Sequence, residues 1–301
     1  MTRAALCLLA GVLLSGTAMA QQDVSIEACS NSDQAPDARI ELCSAVLDVE
    51  ESGAQAALAF YHRGLARLEL GNHRQAIEDF DRSLAIDPES ADAYNDRGVS
   101  YMDMGEVEVS IADFDLALML DPRHADGWYN RGSAYHLLGW DERAIEDYDR
   151  LLELYPDDAQ GYAARGYSYH LLGQLERALV DYDRALALDP QDAIALSDRA
   201  AAYFSLGDPE RALQGFSQSI EIDPDFDESY SGRGQVHCAL GNAELAAADW
   251  ARVNELRDAP YRLQIQETLS LSGYYQGPID GSMGPELRAA LLAFTEASCP
   301  L

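Results

Sequence analysis

Apolar and small residues along this chain recur with a helical period set inside a longer one. Tyr94, Gly98 and Tyr101 stand at i, i+4 and i+7, a single stripe of a helix with about 3.6 residues per turn. The stripe returns as Trp128, Gly132 and Tyr135 and again as Tyr162, Gly166 and Tyr169, each time 34 residues further on. A glycine follows each stripe, in the series Gly71, Gly105, Gly139, Gly173, Gly207 and Gly241. A second periodic stretch then carries Ala144 and Tyr148, or Ala178 and Tyr182, and runs out at a proline of the series Pro88, Pro122, Pro156, Pro190 and Pro224. Each period is therefore predicted to be two helices. The glycine suits a left-handed C-cap, and the step into proline ends the second helix. A lone hairpin cannot bury its apolar stripe, so stacked neighbours must supply the core. An all-α chain follows.

With an aromatic, Gly, Tyr, Gly, Ala, an aromatic and Pro at fixed offsets, the period resembles the tetratricopeptide repeat family. In the third unit those residues are Trp128, Gly132, Tyr135, Gly139, Ala144, Tyr148 and Pro156. The resemblance implies a right-handed solenoid of helix-turn-helix repeats spanning 57–90, 91–124, 125–158, 159–192, 193–226 and 227–260. The sixth is degenerate, with His237 in place of Tyr and Pro260 two residues late. It reads as a terminal unit, since solenoid ends tend to be atypical.

Charge repeats in step with the packing. Arg63, Arg97, Arg131, Arg165, Arg199 and Arg233 recur every 34 residues. On the second helices Asp79, Asp113, Asp147, Asp181 and Asp249 hold one offset, and Asp81, Asp115, Asp149 and Asp183 another. The simplest account is an ion pair within each repeat; a row of arginines reading anionic ligands is the alternative. In the fifth repeat Gly215 and Ser217 replace both acids, which suggests that Arg199 is available for a ligand carboxylate.

In the family the first helix of each repeat lines a groove that receives peptides or partner helices. By position this implies an exposed row containing Tyr61, Asn95 and Tyr129, and a second containing Met102, His136, His170 and Phe204, with Tyr167 and Arg199 beside them. The lysine, asparagine and arginine set of the family's carboxylate clamp is absent from these rows. A protein or peptide with apolar anchors fits better. His136 and His170 suggest a metal or pH-sensitive pair, but repetition alone explains them. Asp223, Asp225 and Asp227 lack the glycine and late glutamate of a calcium loop. No cofactor or metal is expected.

Both ends depart from the period. Ile40, Cys43 and Leu47 lie on one helical face, and Cys43 takes the place that Phe80 holds one unit later. A Cys29–Cys43 disulfide would staple a capping hairpin over 21–56. Cys238 and Cys299 either pair or stay free and buried, since four cysteines allow three connectivities. Residues 261–301 include Ile265, Gln266, Leu269, Gly273, Tyr274, Gly277, Asp280, Gly281, Gly284 and Phe294, and resemble a truncated peptidoglycan-binding-like domain. That resemblance implies wall contact through Tyr274, Tyr275 and Asp280. The alternative is a hairpin that shields the apolar end of the last repeat.

Composition narrows the function classes. The formal net charge is −31, and all 21 basic residues are arginine. Such a chain repels nucleic acid and anionic lipid. Residues 1–20 read as a cleaved signal peptide, with Arg3, an apolar run from Ala4 to Leu14 and a small-residue site at Ala18-Met19-Ala20. That predicts a periplasmic or secreted protein without an integral membrane anchor. No catalytic motif such as Gly-x-Ser-x-Gly, His-Glu-x-x-His or a P-loop is present. The expectation is a non-enzymatic adaptor, possessing a groove for a protein partner and wall contact at its C-terminus. A wall-associated enzyme and a spacer without a specific ligand are the alternatives.

Overall fold

A computed structural model describes residues 25–49 and 52–299. The expected signal peptide lies outside the described residues. Sixteen helices and no strand are found among those described, an all-helical repeat of the solenoid class. Packing divides the chain into two compact units, 1–104 and 105–301, so that the boundary falls inside the second repeat. In repeat arrays each hairpin touches only its neighbours, so compactness need not follow the sequence period.

The first unit holds α1 (Ile26–Cys29), α2 (Pro36–Val49), α3 (Ala54–Glu69), α4 (His73–Ile86) and α5 (Ala91–Asp103). Its N-terminal core joins Cys29, Leu42, Cys43, Val46 and Leu47 to Ala56 and Ala59. The Cys29–Cys43 disulfide links α1 to α2. A four-residue helix buries little, and the cross-link supplies what its core lacks.

The second unit holds α6 (Val107–Leu120), α7 (Ala125–Leu137), α8 (Asp141–Leu154), α9 (Ala159–Leu171), α10 (Leu175–Leu188), α11 (Ala193–Ser205), α12 (Pro209–Ile222), α13 (Asp227–Ala239), α14 (Ala243–Leu256), α15 (Ala259–Leu271) and α16 (Pro285–Ser298). Its hairpins turn as the glycines predict. Gly139 has φ 74°; its N–H donates to the His136 carbonyl, and Trp140 N–H donates to Tyr135. These two bonds make a Schellman cap. Within the hairpin the stripe glycine gives room: a Cβ on Gly132 would lie 2.7 Å from the Tyr148 ring. Asp158 and Asp192 cap the next first helices by accepting from Gly161 and Ala195.

The C-terminal segment packs as part of this unit. Leu269, Tyr275, Leu287, Ala290 and Leu291 share a core with Ala251 of the last repeat. Cys238 on α13 is bonded to Cys299 after α16, so these two cysteines are neither free nor unpaired. The turn between α15 and α16 is organised from inside by Gln266. This fully buried residue accepts from Asp280 and Gly281 N–H and donates to the Ser282 carbonyl.

Candidate functional site

The arginine row is a stapling device. Arg131 donates to Asp147 from Nε at 2.8 Å and from Nη2 at 2.7 Å, while its Nη1 reaches Asp115 of the preceding repeat at 2.5 Å. Arg165 does the same with Asp181 and Asp149. Arg233 keeps the fork, to Asp249, and uses Ser217 for the third bond. In the first unit Arg63 forks onto Asp79, and Arg97 pairs with Asp81. The second acid series thus serves the junction between repeats, where a pair confined to one repeat was expected. Burial alone would lower the Arg131 guanidinium; hydrogen bonds and charge from Asp147 and Asp115 more than offset it and hold it above its ordinary value. These cations are committed to the fold.

Arg199, expected to be available for a ligand carboxylate, is already engaged. It donates from Nη1 to Asp183 at 2.8 Å, so it is not an idle receptor for a ligand carboxylate. Its fork has no acid opposite because the fifth repeat exchanges its small residues. Ala200 stands where the other first helices carry glycine, and a Cβ on Gly215 would lie 2.9 Å from the Ala200 Cβ. The room that Ala200 takes is given back by Gly215.

On the first-helix face of the second unit the aromatic residues converge. His136 donates from Nδ1 to the Asp141 carboxylate at 2.8 Å, and its ring meets Tyr167 edge-on at 5.3 Å. Tyr167, His170 and Phe204 line one cavity of about 460 Å³, together with Ser197, Asp198, Phe216 and Tyr261. Burial lowers the His170 imidazole, which keeps it neutral at pH 7. Burial and the charge of Asp198 raise the Tyr167 phenol. Tyr129 belongs to the same face but packs on Tyr148, ring centroids 6.0 Å apart.

Four family models of the tetratricopeptide repeat match the chain. The matches cover 64–105 and 166–207, 95–159, 193–226 and 147–180, so they run without a gap from 64 to 226. The chain belongs to the tetratricopeptide repeat family. Among solved structures, a tetratricopeptide repeat protein from Parabacteroides merdae ATCC 43184 superposes with a TM-score of 0.62, at 20% identity, over 74% of this chain and 87% of its own. YrrB, described as a tetratricopeptide protein with an unusual peptide-binding site, gives 0.51 at 21% identity over 63% and 96%. MamA gives 0.50 at 23% identity over 56% and 92%. At these identities the likeness is one of fold. No curated protein sequence matches significantly.

Within this tetratricopeptide frame the remaining expected site residues are spread out. Asn95, expected to be exposed, is 4% exposed and donates to Asp96. The Tyr61 hydroxyl is committed to Asp96 at 2.8 Å, and Met102 is half-buried. Tyr275, expected at a wall contact, is buried with its hydroxyl on the Pro278 carbonyl, because it is part of the C-terminal core. Tyr274 is exposed over the edge of Phe294, and Asp280 is exposed and accepts from Ser282 N–H. The cavity residues Asp198, Phe216 and Tyr261 escaped the sequence reading. Asp198 was legible as the counterpart of Asp96 three repeats later; Tyr261 lies beyond the repeats and carries no periodic signal.

Proposed function

We propose that this tetratricopeptide repeat protein is an exported adaptor that holds a segment of a protein partner on the first-helix face of its second unit. The observation that carries the reading is the open cavity of about 460 Å³ walled by Tyr167, His170, Phe204 and Phe216. Rigid aromatic side chains give large contact area at little conformational cost, which is what anchors a partner. Proteins of this family are in general scaffolds without catalytic activity, and the proposal follows that pattern. Peptide binding in YrrB is consistent with such a use of the fold.

Two features support export to a periplasm: the leader-like residues 1–20, and the Cys29–Cys43 and Cys238–Cys299 bonds, which persist in oxidising compartments. Wall contact is the finer part of the proposal and falls to Tyr274 and Asp280. Binding of the full chain to purified sacculi, lost on Tyr274→Ala with Asp280→Asn, tests it; equal retention of the variant overturns it. The adaptor reading is tested by co-purification from cells. Tyr167→Ala with Phe204→Asp should abolish recovery of a partner that the wild-type chain retains, and unchanged recovery contradicts the reading.

A further inference from the structure

Asp198 is placed at the cavity wall without a counter-charge. Among the described residues no hydrogen bond or ion pair reaches its carboxylate, and it is largely withdrawn from water. The same position three repeats earlier shows what a satisfied acid looks like here. Asp96 accepts from the Tyr61 hydroxyl at 2.8 Å and from the Asn95 amide at 3.2 Å. For Asp198 those two donor positions hold Ala163 and Ser197. Alanine has no hydrogen bond to give. The acid is kept where its large internal donors are gone, and a cavity opens beside it.

The rest of the lining shows which ligand sign is accepted. Asp198, Asp227 and Glu228 face the cavity against a single guanidinium, Arg257, and that cation is already paired with Asp227 and Glu228. His170 is neutral, and Arg199 is turned to Asp183. Below the surface the buried Tyr182 hydroxyl also lacks a partner among the described residues, and its phenol is raised by burial and by the charge of Asp198. An anionic ligand would meet net repulsion. No group of three or more His, Cys, Asp or Glu side chains is placed to hold a metal ion among the described residues, so the lining does not form a metal site. A long-stemmed cation satisfies both halves of the site, its head on the carboxylate and its stem along aromatic surface.

We propose that this cavity receives an arginine or lysine side chain of the partner polypeptide, its cationic head at Asp198 and its stem against Tyr167, Phe204 and Phe216. The inference rests on the adaptor reading and names the anchor chemistry of the same site. With no cation in place, burial and the neighbouring Asp192 push the Asp198 carboxyl up to about 7, as an unpaired acid requires. Acidic groups elsewhere on the chain, at a formal charge of −31, would steer a basic segment toward the cavity.

The test uses the full mature chain and fluorescein-labelled synthetic peptide pools of about nine residues, with flanks of Leu, Phe and Ala. The pools differ at the centre: arginine, its neutral isostere citrulline, or glutamate. Fluorescence polarisation should show the arginine pool binding at least about tenfold more tightly than the citrulline pool, the margin of one charge-assisted pair. Asp198→Asn should shrink that ratio to about twofold or less. Ala163→Tyr, which restores the donor that Tyr61 gives Asp96, should do the same by an independent route; Val180→Asn on the exposed side of α10 should leave the ratio alone. Equal binding of the arginine and citrulline pools, a preference for glutamate, no binding by any pool, or a preference that survives both substitutions overturns the proposal. If the partner still co-purifies through Tyr167 and Phe204 while the pools show no charge preference, the adaptor reading stands and the cationic anchor falls.

Discussion

Arg165 grips Asp181 through two parallel hydrogen bonds, from Nε and from Nη2, both 2.8 Å long. The carboxylate is 5% exposed and the guanidinium 19%. Such a pair contributes little against an apolar replacement, but breaking it strands a buried charge. Asp181→Ala should therefore cost about 3 kcal/mol in urea denaturation, whereas removing the exposed partner Asp149 should cost about 1 kcal/mol or less. A loss for Asp181→Ala no larger than that for Asp149→Ala would show that the fork is not what holds the hairpin.

The fifth repeat gives a test of the small-residue exchange. Gly215→Asp would restore a carboxylate opposite Arg199, yet its Cβ must fit 2.9 Å from Ala200. The single variant should be destabilised by about 1–3 kcal/mol through overpacking. Adding Ala200→Gly should recover that loss. Additive effects in a double-mutant cycle would contradict the account.

Asp198 makes stability fall as pH rises. Its carboxyl is raised from 3.8 to about 7 by burial and by Asp192, with Tyr167, His170, Tyr182, Asp227, Glu228, Arg257 and Tyr261 as the other titratable groups around it among the described residues. Below pH 4 folded and unfolded chains both hold this proton, and there is no penalty. Between pH 4 and pH 7 the unfolded chain ionises more readily, so the folded state loses roughly 2–4 kcal/mol, a loss that persists above pH 7. Asp198→Asn should therefore be more stable than wild type at pH 8 by about that amount, with the gain gone near pH 4. Equal pH profiles in thermal unfolding would contradict this.

Gln266 holds the α15–α16 turn from within. Gln266→Leu keeps the volume but leaves the N–H groups of Asp280 and Gly281 without their acceptor. Unsatisfied buried donors cost about 1–3 kcal/mol each. Hydrogen exchange at residues 280 and 281 should speed up by about tenfold or more. Protection equal to wild type would mean that the turn has another support.

Most of the fold was legible because packing imposes a strict period. Gly139, Gly173 and their counterparts must adopt positive φ, and Gly132 must admit the Tyr148 ring; few other residues can do either. The arginine forks were readable as pairs, but the second carboxylate series was not readable as a link between repeats, since both series share one period. Asn95 and Tyr275 were misplaced for another reason. Their burial depends on neighbours that no sequence offset encodes, among them the core that encloses Tyr275. The cavity was half legible: Tyr167, His170 and Phe204 lie on the periodic rows, whereas Asp198 gains its meaning only from the loss of a tyrosine at 163.

The face carrying Tyr167 and Phe204 is proposed to receive a protein partner. The most direct measurement places a photo-crosslinking benzoylphenylalanine at 167, at 204 and, as control, at Val180, which is 68% exposed on α10. Irradiation of cells making the full-length chain should give the same discrete protein adduct from 167 and 204 and none from 180. No adduct at the first two positions, or equal labelling at all three, would contradict the account.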